Sequence, residues 1–244
     1  MLLEGSDVRK SFSGIDALTK VNFAVKEKKI VGLIGPNGSG KTTLFNVICN
    51  IFHADHGHIT FRGRDITNLA PHAISQLGIA RTFQIPRPYP NLTSLKNVMV
   101  GALHGNARLG GITEARAEAI QWLEFTGLQN RMEMLPGSLT IADRKRLEVA
   151  RALAARPYII LLDEAMSGLN PNETNDAMAL VKKIRDDLGI SVFMVEHVMR
   201  VIMSICDTVM VLNNGTSIAE GRPETVAANK VVIEAYLGEE YARR

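Results

Sequence analysis

The sequence predicts an α/β protein with a mostly parallel sheet, and three observations lead to this fold class. Short apolar runs typical of buried strands recur along the chain. Segments with apolar residues at helical spacing separate the later runs. A glycine-rich turn follows one of the runs directly and leads into a helical pattern. This alternation favours parallel strands that are connected through helices.

The predicted elements divide the chain into a core and an insert. We predict strands at Leu2–Val8, Val21–Val25, Lys29–Ile34, Tyr158–Leu162, Ser191–Val195 and Thr208–Leu212. We predict helices at Thr42–Cys49, Glu114–Phe125, Ile141–Ala155 and Thr225–Leu237. A proline-rich link, IPRPYPNL, opens a region without strand patterns. We therefore expect one domain spanning residues 1–244, with a core at 1–84 and 158–222, a helical subdomain at 85–157 and a short tail at 223–244.

Composition excludes several classes of protein. The chain has 244 residues, of which 46% are hydrophobic and 22% charged, so disorder and fibrous structures are not expected. Its 28 basic and 25 acidic residues are mixed along the chain, which gives no nucleic-acid footprint. The two cysteines, Cys49 and Cys206, lie in apolar stretches and predict inert thiols in a reducing compartment. No apolar run approaches the roughly 20 residues that span a bilayer, and no signal peptide is visible, so we expect a cytoplasmic chain.

The segment Gly35–Thr42 matches the phosphate-binding pattern G-x-x-x-x-G-K-[ST]. Glycines allow backbone N–H groups to converge on phosphate oxygens, and the following helix directs its positive end at the same anion. Lys41 is expected to reach the β- and γ-phosphates, and the Thr42 hydroxyl to bind Mg²⁺. The alternative, a glycine-rich turn without a ligand, is disfavoured by the strand and helix on either side. The candidate nucleotide-binding residues here are Gly35, Pro36, Asn37, Gly38, Ser39, Gly40, Lys41, Thr42 and Thr43.

Two carboxylates, Asp163 and Glu164, follow the buried run at residues 159–162. The carboxyl ends of parallel strands border the ligand crevice of an α/β sheet. Asp163 is therefore placed to hold Mg²⁺ through water, and Glu164 to act as the general base on an attacking water. A pair of solvated acids at a strand end is the alternative, and the phosphate loop on the same chain argues against it.

The order of these motifs resembles the ATP-binding cassette (ABC) family over essentially the whole chain. The resemblance implies a P-loop NTPase with a RecA-like core, a small N-terminal antiparallel β subdomain and an inserted helical subdomain. It implies that Gln84, in RTFQ, contacts both nucleotide and metal, and that His197, in VEH, is a catalytic switch residue. Phe12 stands where the family places an aromatic ring on adenine, and Asn170 where it places a further nucleotide contact. ATP and Mg²⁺ are the implied cofactors.

The signature segment, residues 139–143, departs from the family pattern L-S-G-G-Q. It reads LTIAD, so a hydroxyl remains at Thr140 while both glycines and the glutamine are replaced. In the family this helix start faces the γ-phosphate held by a second subunit, so Thr140 and Ala142 are candidate nucleotide contacts. We expect the Ala142 methyl to hinder close approach and the charge of Asp143 to repel phosphate, with Arg144 partly offsetting that charge. The hypothesis is a weakened half-site.

Within the family, the strings GIARTFQ, GLNPNE and VIEAYLG look most like ATPase subunits of branched-chain amino acid importers. The resemblance implies an ATP-hydrolysing subunit at the cytoplasmic face of the membrane, coupled to solute import. Its partners would be membrane-spanning subunits that dock near residues 85–100, a second ATPase subunit and, indirectly, a solute-binding protein. No nucleic acid is expected.

Three alternatives stay open at this point. A P-loop GTPase or small-molecule kinase is one, although a GTPase should carry N-K-x-D and the nearest match, at residues 229–232, reads NKVV. A non-transport cassette that acts on ribosomes or DNA is the second, although this chain has neither two cassettes nor a long coiled-coil insert. A nucleotide-dependent regulator without turnover is the third, and the presence of Glu164 and His197 argues against it.

Overall fold

The computed structural model describes residues 1–106 and 111–237, which form two sheets and a set of helices. The strands are β1 (Leu3–Phe12), β2 (Ile15–Val25), β3 (Ile30–Ile34), β4 (His56–Phe61), β5 (Arg64–Asp65), β6 (Ile79–Arg81), β7 (Ile159–Asp163), β8 (Ser191–Val195), β9 (Thr208–Asn213) and β10 (Thr216–Gly221). The α-helices are α1 (Lys41–Ile48), α2 (Pro71–Gln76), α3 (Ser94–His104), α4 (Ile112–Phe125), α5 (Ile141–Ala154), α6 (Pro171–Asp186), α7 (Met199–Ile205), α8 (Pro223–Ala227) and α9 (Lys230–Leu237).

The larger sheet has the order β10-β9-β3-β8-β7-β6, and all its pairs are parallel except β9 with β10. Strands β3, β7 and β8 are buried along their whole length, as expected of parallel strands covered on both faces. The predicted α/β class is confirmed. Because these strands are parallel, the carboxyl ends of β3, β6, β7 and β8 meet at one edge of the sheet.

The smaller sheet is antiparallel, with the order β2-β1-β4-β5. Its inner face packs on the larger sheet, where the rings of Phe23 and Phe193 stack with centroids 6.0 Å apart. This confirms the small antiparallel subdomain implied by the family resemblance. Strand β2 begins six residues before its predicted start because its first half is mostly exposed and carries no continuous apolar run.

Helices α3, α4 and α5 lie between β6 and β7 in the chain and share a core of their own. Leu95, Val98, Leu123 and Leu147 belong to this core and are almost fully buried. No strand occurs in the described residues between β6 and β7. The predicted insert also includes residues 107–110, which lie outside the described residues.

The tail after β10 contains two helices instead of the one predicted. Helix α8 ends at Ala227, and Asn229 Oδ1 then accepts the N–H of Val231 at 2.9 Å in the first turn of α9. The prediction of a single helix was wrong because a local side-chain cap starts a second one. Residues 238–244 of the predicted tail lie outside the described residues. None of the helices in the described part of the chain is long and apolar enough to span a membrane.

Candidate active site

The glycine-rich loop between β3 and α1 has a backbone that only glycine accommodates well. Gly35 and Gly40 have φ angles of 153° and 103°. A Cβ on Gly35 would lie 2.0 Å from the carbonyl oxygen of Leu212, and one on Gly40 would lie 2.5 Å from that of Ala17. The glycines of the motif therefore serve both the backbone conformation and the close packing of the loop.

Lys41, the first residue of α1, folds its side chain back over this loop. Its Nζ donates to the carbonyl oxygens of Gly35 and Pro36, both at 2.8 Å. Burial lowers the pKa of Lys41. Helix α1 has Gly40 at its N-cap, with no side-chain hydrogen bond to its first amides. The loop thus presents an ammonium group and uncapped amides to one point, which is the arrangement that binds phosphate.

Asp163, the last residue of β7, is buried, with 2% of its surface exposed. Its Oδ2 accepts a hydrogen bond from a terminal guanidinium nitrogen of Arg81 at 2.8 Å. Its Oδ1 is buried and has no hydrogen-bond partner. A buried carboxylate oxygen without a partner is costly unless a cation or water satisfies it. Asp163 therefore fits the role of a carboxylate that holds Mg²⁺ through water.

The carboxylate of Glu164 joins the ends of three neighbouring strands. Gln84 Nε2 donates to its Oε2 at 2.7 Å, and His197 Nε2 lies 2.8 Å from its Oε1. Gln84 follows β6, Glu164 follows β7 and His197 follows β8. Glu164 has a φ of 49°, an unusual conformation for a residue other than glycine, found at functional sites that the surrounding structure constrains.

A cleft of about 190 Å³ brings this carboxylate to the phosphate loop. Glu164 and His197 line one side, and residues 37–43 of the loop and α1 line the other. A phosphate chain bound at the loop would therefore lie beside a carboxylate that can accept a proton from water. The structure places the two strongest motifs of the sequence in one site.

Phe12 lies at the end of β1, with 38% of its surface exposed. Its ring meets the ring of Phe52 edge to face at a centroid distance of 5.0 Å, and Lys10 Nζ lies 5.3 Å from its centre. An exposed ring held by neighbours suits a stacking platform. Its contact with adenine stays a prediction.

The altered signature residues lie at the start of α5. Thr140 is the N-cap, and its hydroxyl accepts the N–H of Asp143 at 3.1 Å. Ala142 is 8% exposed, so its methyl group packs inside the chain and the expectation that it hinders an approaching partner was wrong. The side chain that faces outward is Ile141, which is 61% exposed. A role for Ala142 in nucleotide binding now concerns its backbone alone and stays a prediction.

We expected Arg144 to offset part of the charge of Asp143, but its hydrogen bonds go to backbone carbonyl oxygens and not to that carboxylate. Its guanidinium donates to the carbonyl oxygens of Gly137 and Leu139 at 3.1 and 3.2 Å. The side chain that pairs with Asp143 is Arg131, with Nε 3.7 Å from Oδ2. Arg131, the last residue of a 3₁₀ turn at Gln129–Arg131, thus balances part of the negative charge at this helix start.

Asn170 serves as the N-cap of α6. Its Oδ1 accepts the N–H groups of Asn172 and Glu173, both at 3.0 Å, and Glu173 Oε2 accepts the N–H of Asn170 at 2.9 Å. This reciprocal capping box gives Asn170 a clear structural role. A contact between Asn170 and nucleotide stays a prediction.

Sequence reasoning missed four charged side chains that support the site. Arg81 holds Asp163, and Lys145 Nζ donates to the backbone carbonyl oxygen of Glu164 at 2.9 Å. Glu148 accepts the N–H groups of Phe83 and Arg87, and Glu196 accepts that of Met166. A charge inside an otherwise apolar stretch was the available signal, as at Glu148 in LEVA and Glu196 at the end of SVFMV.

The fold and this site define a P-loop nucleoside triphosphatase. The loop follows the central strand β3, and the carboxylates follow β7 at the same sheet edge, which is where such folds bind their ligands.

Comparison with known proteins narrows this class to one family. A family model described as ABC transporter matches residues 18–167, and one described as branched-chain amino acid ATP-binding cassette transporter matches residues 217–242. The high-affinity branched-chain amino acid transport ATP-binding protein BraF of Pseudomonas aeruginosa is 39% identical, with 98% of each chain covered. The chain belongs to the ABC transporter ATP-binding family, and it is an ABC ATPase. The family resemblance seen in the sequence is thereby confirmed.

Two solved structures show the same architecture. A nucleotide-free ATP-binding cassette from an ABC transporter matches with a TM-score of 0.89 and 32% identity, covering 98% of this chain and 99% of its own. A dimeric cassette in a post-hydrolysis state, bound to ADP and Pi, matches with a TM-score of 0.82 and 27% identity, covering 91% of this chain and 99% of its own.

Proposed function

We propose that this ATPase binds ATP together with Mg²⁺ and couples its hydrolysis to the import of branched-chain amino acids or related compounds. The observation that carries the proposal is the position of Glu164, whose carboxylate faces the phosphate loop across a small cleft and contacts both Gln84 and His197. Helix N-terminus, ammonium group and carboxylate together suit cleavage of a phosphoanhydride by water.

The residues present fit a magnesium ion on observations of their own. Oδ1 of Asp163 is a buried oxygen that lacks a hydrogen-bond partner, and Thr42 is an exposed residue that lines the cleft at the loop. Gln84 offers an amide oxygen at the same edge, because its Nε2 is the atom that contacts Glu164. Hard oxygen donors of this kind are what Mg²⁺ prefers. When bound, the ion would neutralise charge on the β- and γ-phosphate oxygens.

Residues of the chain itself bind the phosphates, accept the proton and orient the carboxylate. Lys41 exchanges its carbonyl partners at Gly35 and Pro36 for phosphate oxygens, which keeps its buried charge compensated. Glu164 takes the proton of the attacking water. His197 and Gln84 hold the two oxygens of Glu164 in place, so the carboxylate is oriented before the water arrives.

Two kinds of protein partner belong to the proposal. The dimeric cassette among the similar structures supports a second ATPase subunit, which would face the exposed start of α5 at Thr140 and Ile141. Membrane-spanning subunits would dock on the helical subdomain, residues 85–157, where Ile85 and Tyr89 are 75% and 47% exposed beside a 320 Å³ groove between α2, α3 and α5. The chain would then act at the cytoplasmic face of the membrane, and a solute-binding protein would contribute indirectly.

Measuring ATP binding and turnover tests the proposed hydrolysis of ATP. We expect Glu164→Gln to bind ATP with unchanged affinity and to lose at least about a hundredfold in turnover, because it removes the general base alone. Glu220→Gln, at an exposed position of β10, is the matched control and should hydrolyse ATP like the wild type. Equal turnover in Glu164→Gln and the wild type would contradict the assigned role.

Isolation of the chain from membranes, together with uptake measurements, tests the proposed role in transport. The tagged chain should recover multi-span subunits, and cells without it should lose uptake of leucine, isoleucine and valine until it is restored. Recovery of ribosomes or DNA, or uptake that does not depend on the chain, would contradict the transport proposal.

A further inference from the structure

Arg81, the last residue of β6, is a buried cation beside the proposed magnesium site. Its side chain is 7% exposed. The guanidinium carbon lies 5.7 Å from the ring centre of Phe45 and 5.2 Å from that of Phe83. Two aromatic rings and the burial fix the plane of the guanidinium, so the directions of its N–H groups are fixed as well.

The two terminal nitrogens of Arg81 contact two different elements. One donates to Asp163 Oδ2 at 2.8 Å, and the other donates to Asn46 Oδ1 at 2.6 Å. Asn46 lies in α1, the helix that begins at Lys41, and Asp163 ends β7. Arg81 thereby connects the phosphate-binding helix to the carboxylate strand from a third element, β6.

This contact determines which oxygen of Asp163 is available. Oδ2 is occupied by the guanidinium, while Oδ1 is buried and has no protein partner. The Asp163 side chain is 3% exposed, so bulk water does not compete with Arg81 for its carboxylate. A carboxylate held by one oxygen in this way presents the other oxygen in a single direction.

We propose that Arg81 is a positioning residue that holds Asp163 with Oδ1 directed at the metal ion of the nucleotide complex. The inference rests on the proposed function, because it takes Asp163 as the carboxylate on the magnesium side. Lysine cannot replace Arg81 in this role, since a single ammonium group lacks the planar pair of donors that reaches Asp163 and Asn46 together.

Nucleotide binding by the full-length chain, with and without metal, tests the inference. A fluorescent ATP analogue is titrated at a series of Mg²⁺ concentrations and again in EDTA. For Arg81→Lys we expect the half-saturating Mg²⁺ concentration to rise about tenfold, which is the usual size of an effect transmitted through a neighbour of a metal ligand. Affinity in EDTA should change less than about twofold, because Lys41 and the loop are untouched.

Arg185→Lys is the matched control. Like Arg81, Arg185 contacts two side chains, which here are the carboxylates of Asp186 and Asp207, and it lies in α6 outside the site. Arg185→Lys should leave both titrations unchanged.

Asn46→Ala is a second and milder test variant, in case Arg81→Lys does not fold. It removes one hydrogen-bond partner of the guanidinium and keeps the charges of Arg81 and Asp163. It should raise the Mg²⁺ requirement about threefold.

Three results would overturn this inference and leave the proposed function standing. An unchanged Mg²⁺ requirement in Arg81→Lys is one, and an unchanged requirement in Asn46→Ala is another. A loss of affinity in EDTA as large as the loss with Mg²⁺ would show that Arg81 supports the loop as a whole. A wild-type chain whose nucleotide binding ignores Mg²⁺ would overturn the magnesium part of the proposed function together with this inference, so the two failures are distinguishable.

Discussion

Oε1 of Glu196 accepts the backbone N–H of Met166 at 2.9 Å. Glu196 follows β8 and precedes His197, and Met166 lies two residues after Glu164. The buried carboxylate therefore links the segment that carries His197 to the segment that carries Glu164. Burial raises the pKa of Glu196, while the N–H of Met166 and the charge of Lys145 act against that rise.

The raised pKa predicts how stability changes with pH. A carboxyl group whose pKa is higher in the folded state binds more protons there, so the folded chain loses stability as pH rises through that value. The ordinary pKa of the group is 4.5. Relative to Glu196→Gln, which has no titrating group, we expect the wild type to lose stability progressively as pH rises above 4.5.

Urea denaturation of both proteins from pH 4.5 to pH 8 measures this difference. Glu220→Gln, which alters an exposed carboxylate, should give a curve parallel to that of the wild type. Parallel curves for the wild type and Glu196→Gln would mean that the Glu196 carboxylate has the same pKa in the folded and unfolded chain.

Glu148 predicts a local change in backbone protection. Its carboxylate accepts the N–H of Arg87 at 2.7 Å and that of Phe83 at 3.2 Å, one on each side of Gln84. Glu148→Ala leaves these two partly buried N–H donors without an acceptor, which should cost about 2 kcal/mol in the free energy of unfolding. Hydrogen exchange at the amides of Phe83 and Arg87 should accelerate at least about tenfold.

Glu148→Gln keeps an acceptor oxygen at the same place and should preserve most of the protection. Glu124→Ala, at an exposed position of α4, controls for the loss of a helix carboxylate. If exchange at Phe83 and Arg87 is equal in the Ala and Gln variants, Glu148 does not hold this loop.

The two thiols should be inert, as the sequence predicts. Burial raises the pKa of Cys49 to about 11 and that of Cys206 to about 12. At pH 8 the thiolate fraction of Cys49 is then about one in a thousand, and that of Cys206 is smaller. We expect Ellman's reagent to label almost no thiol in the native chain and both thiols in guanidinium chloride. Ser217→Cys, at an exposed position of β10, should react quickly under native conditions, whereas fast labelling of the wild type would contradict the prediction.

What the sequence predicts correctly is the position of the motifs that occupy consecutive residues. The loop at Gly35–Thr42 and the pair Asp163 and Glu164 each occupy one short segment, and the parallel sheet brings the segments together. Strand β7, an uninterrupted apolar run, was predicted within one residue, because full burial leaves a clear composition signal.

The contacts that the sequence does not reveal join distant segments. Arg81 reaches Asp163 across 82 positions, and Glu148 reaches Phe83 across 65. Such pairs depend on which strand and helix become neighbours, which local patterns do not specify. Strand β10 lies half-exposed at the edge of the sheet. In contrast to the buried strand β7, it has no apolar run, and the sequence did not predict it.

Asp143 occupies the first turn of α5, where it has two effects of opposite sign. A carboxylate near a helix N-terminus stabilises that helix by about 0.3–1 kcal/mol. Arg131 is the cation nearby, with its Nε 3.7 Å from Oδ2 of Asp143. The same charge would repel the phosphates held by a second subunit, if that subunit faces this helix start as proposed. Arg131 is 48% exposed, so it screens the charge only in part.

Asp143→Gln should therefore raise ATP affinity and turnover of the assembled transporter about three- to tenfold at low salt, since a charge within a Debye length of phosphate is incompletely screened. The gain should shrink at 300 mM salt, because ions screen the repulsion that the substitution removes. Asp176→Asn, which removes an exposed carboxylate paired with Arg146, controls for the change in net charge and should have no effect. Unchanged affinity and turnover in Asp143→Gln would show that the altered signature segment does not weaken the half-site.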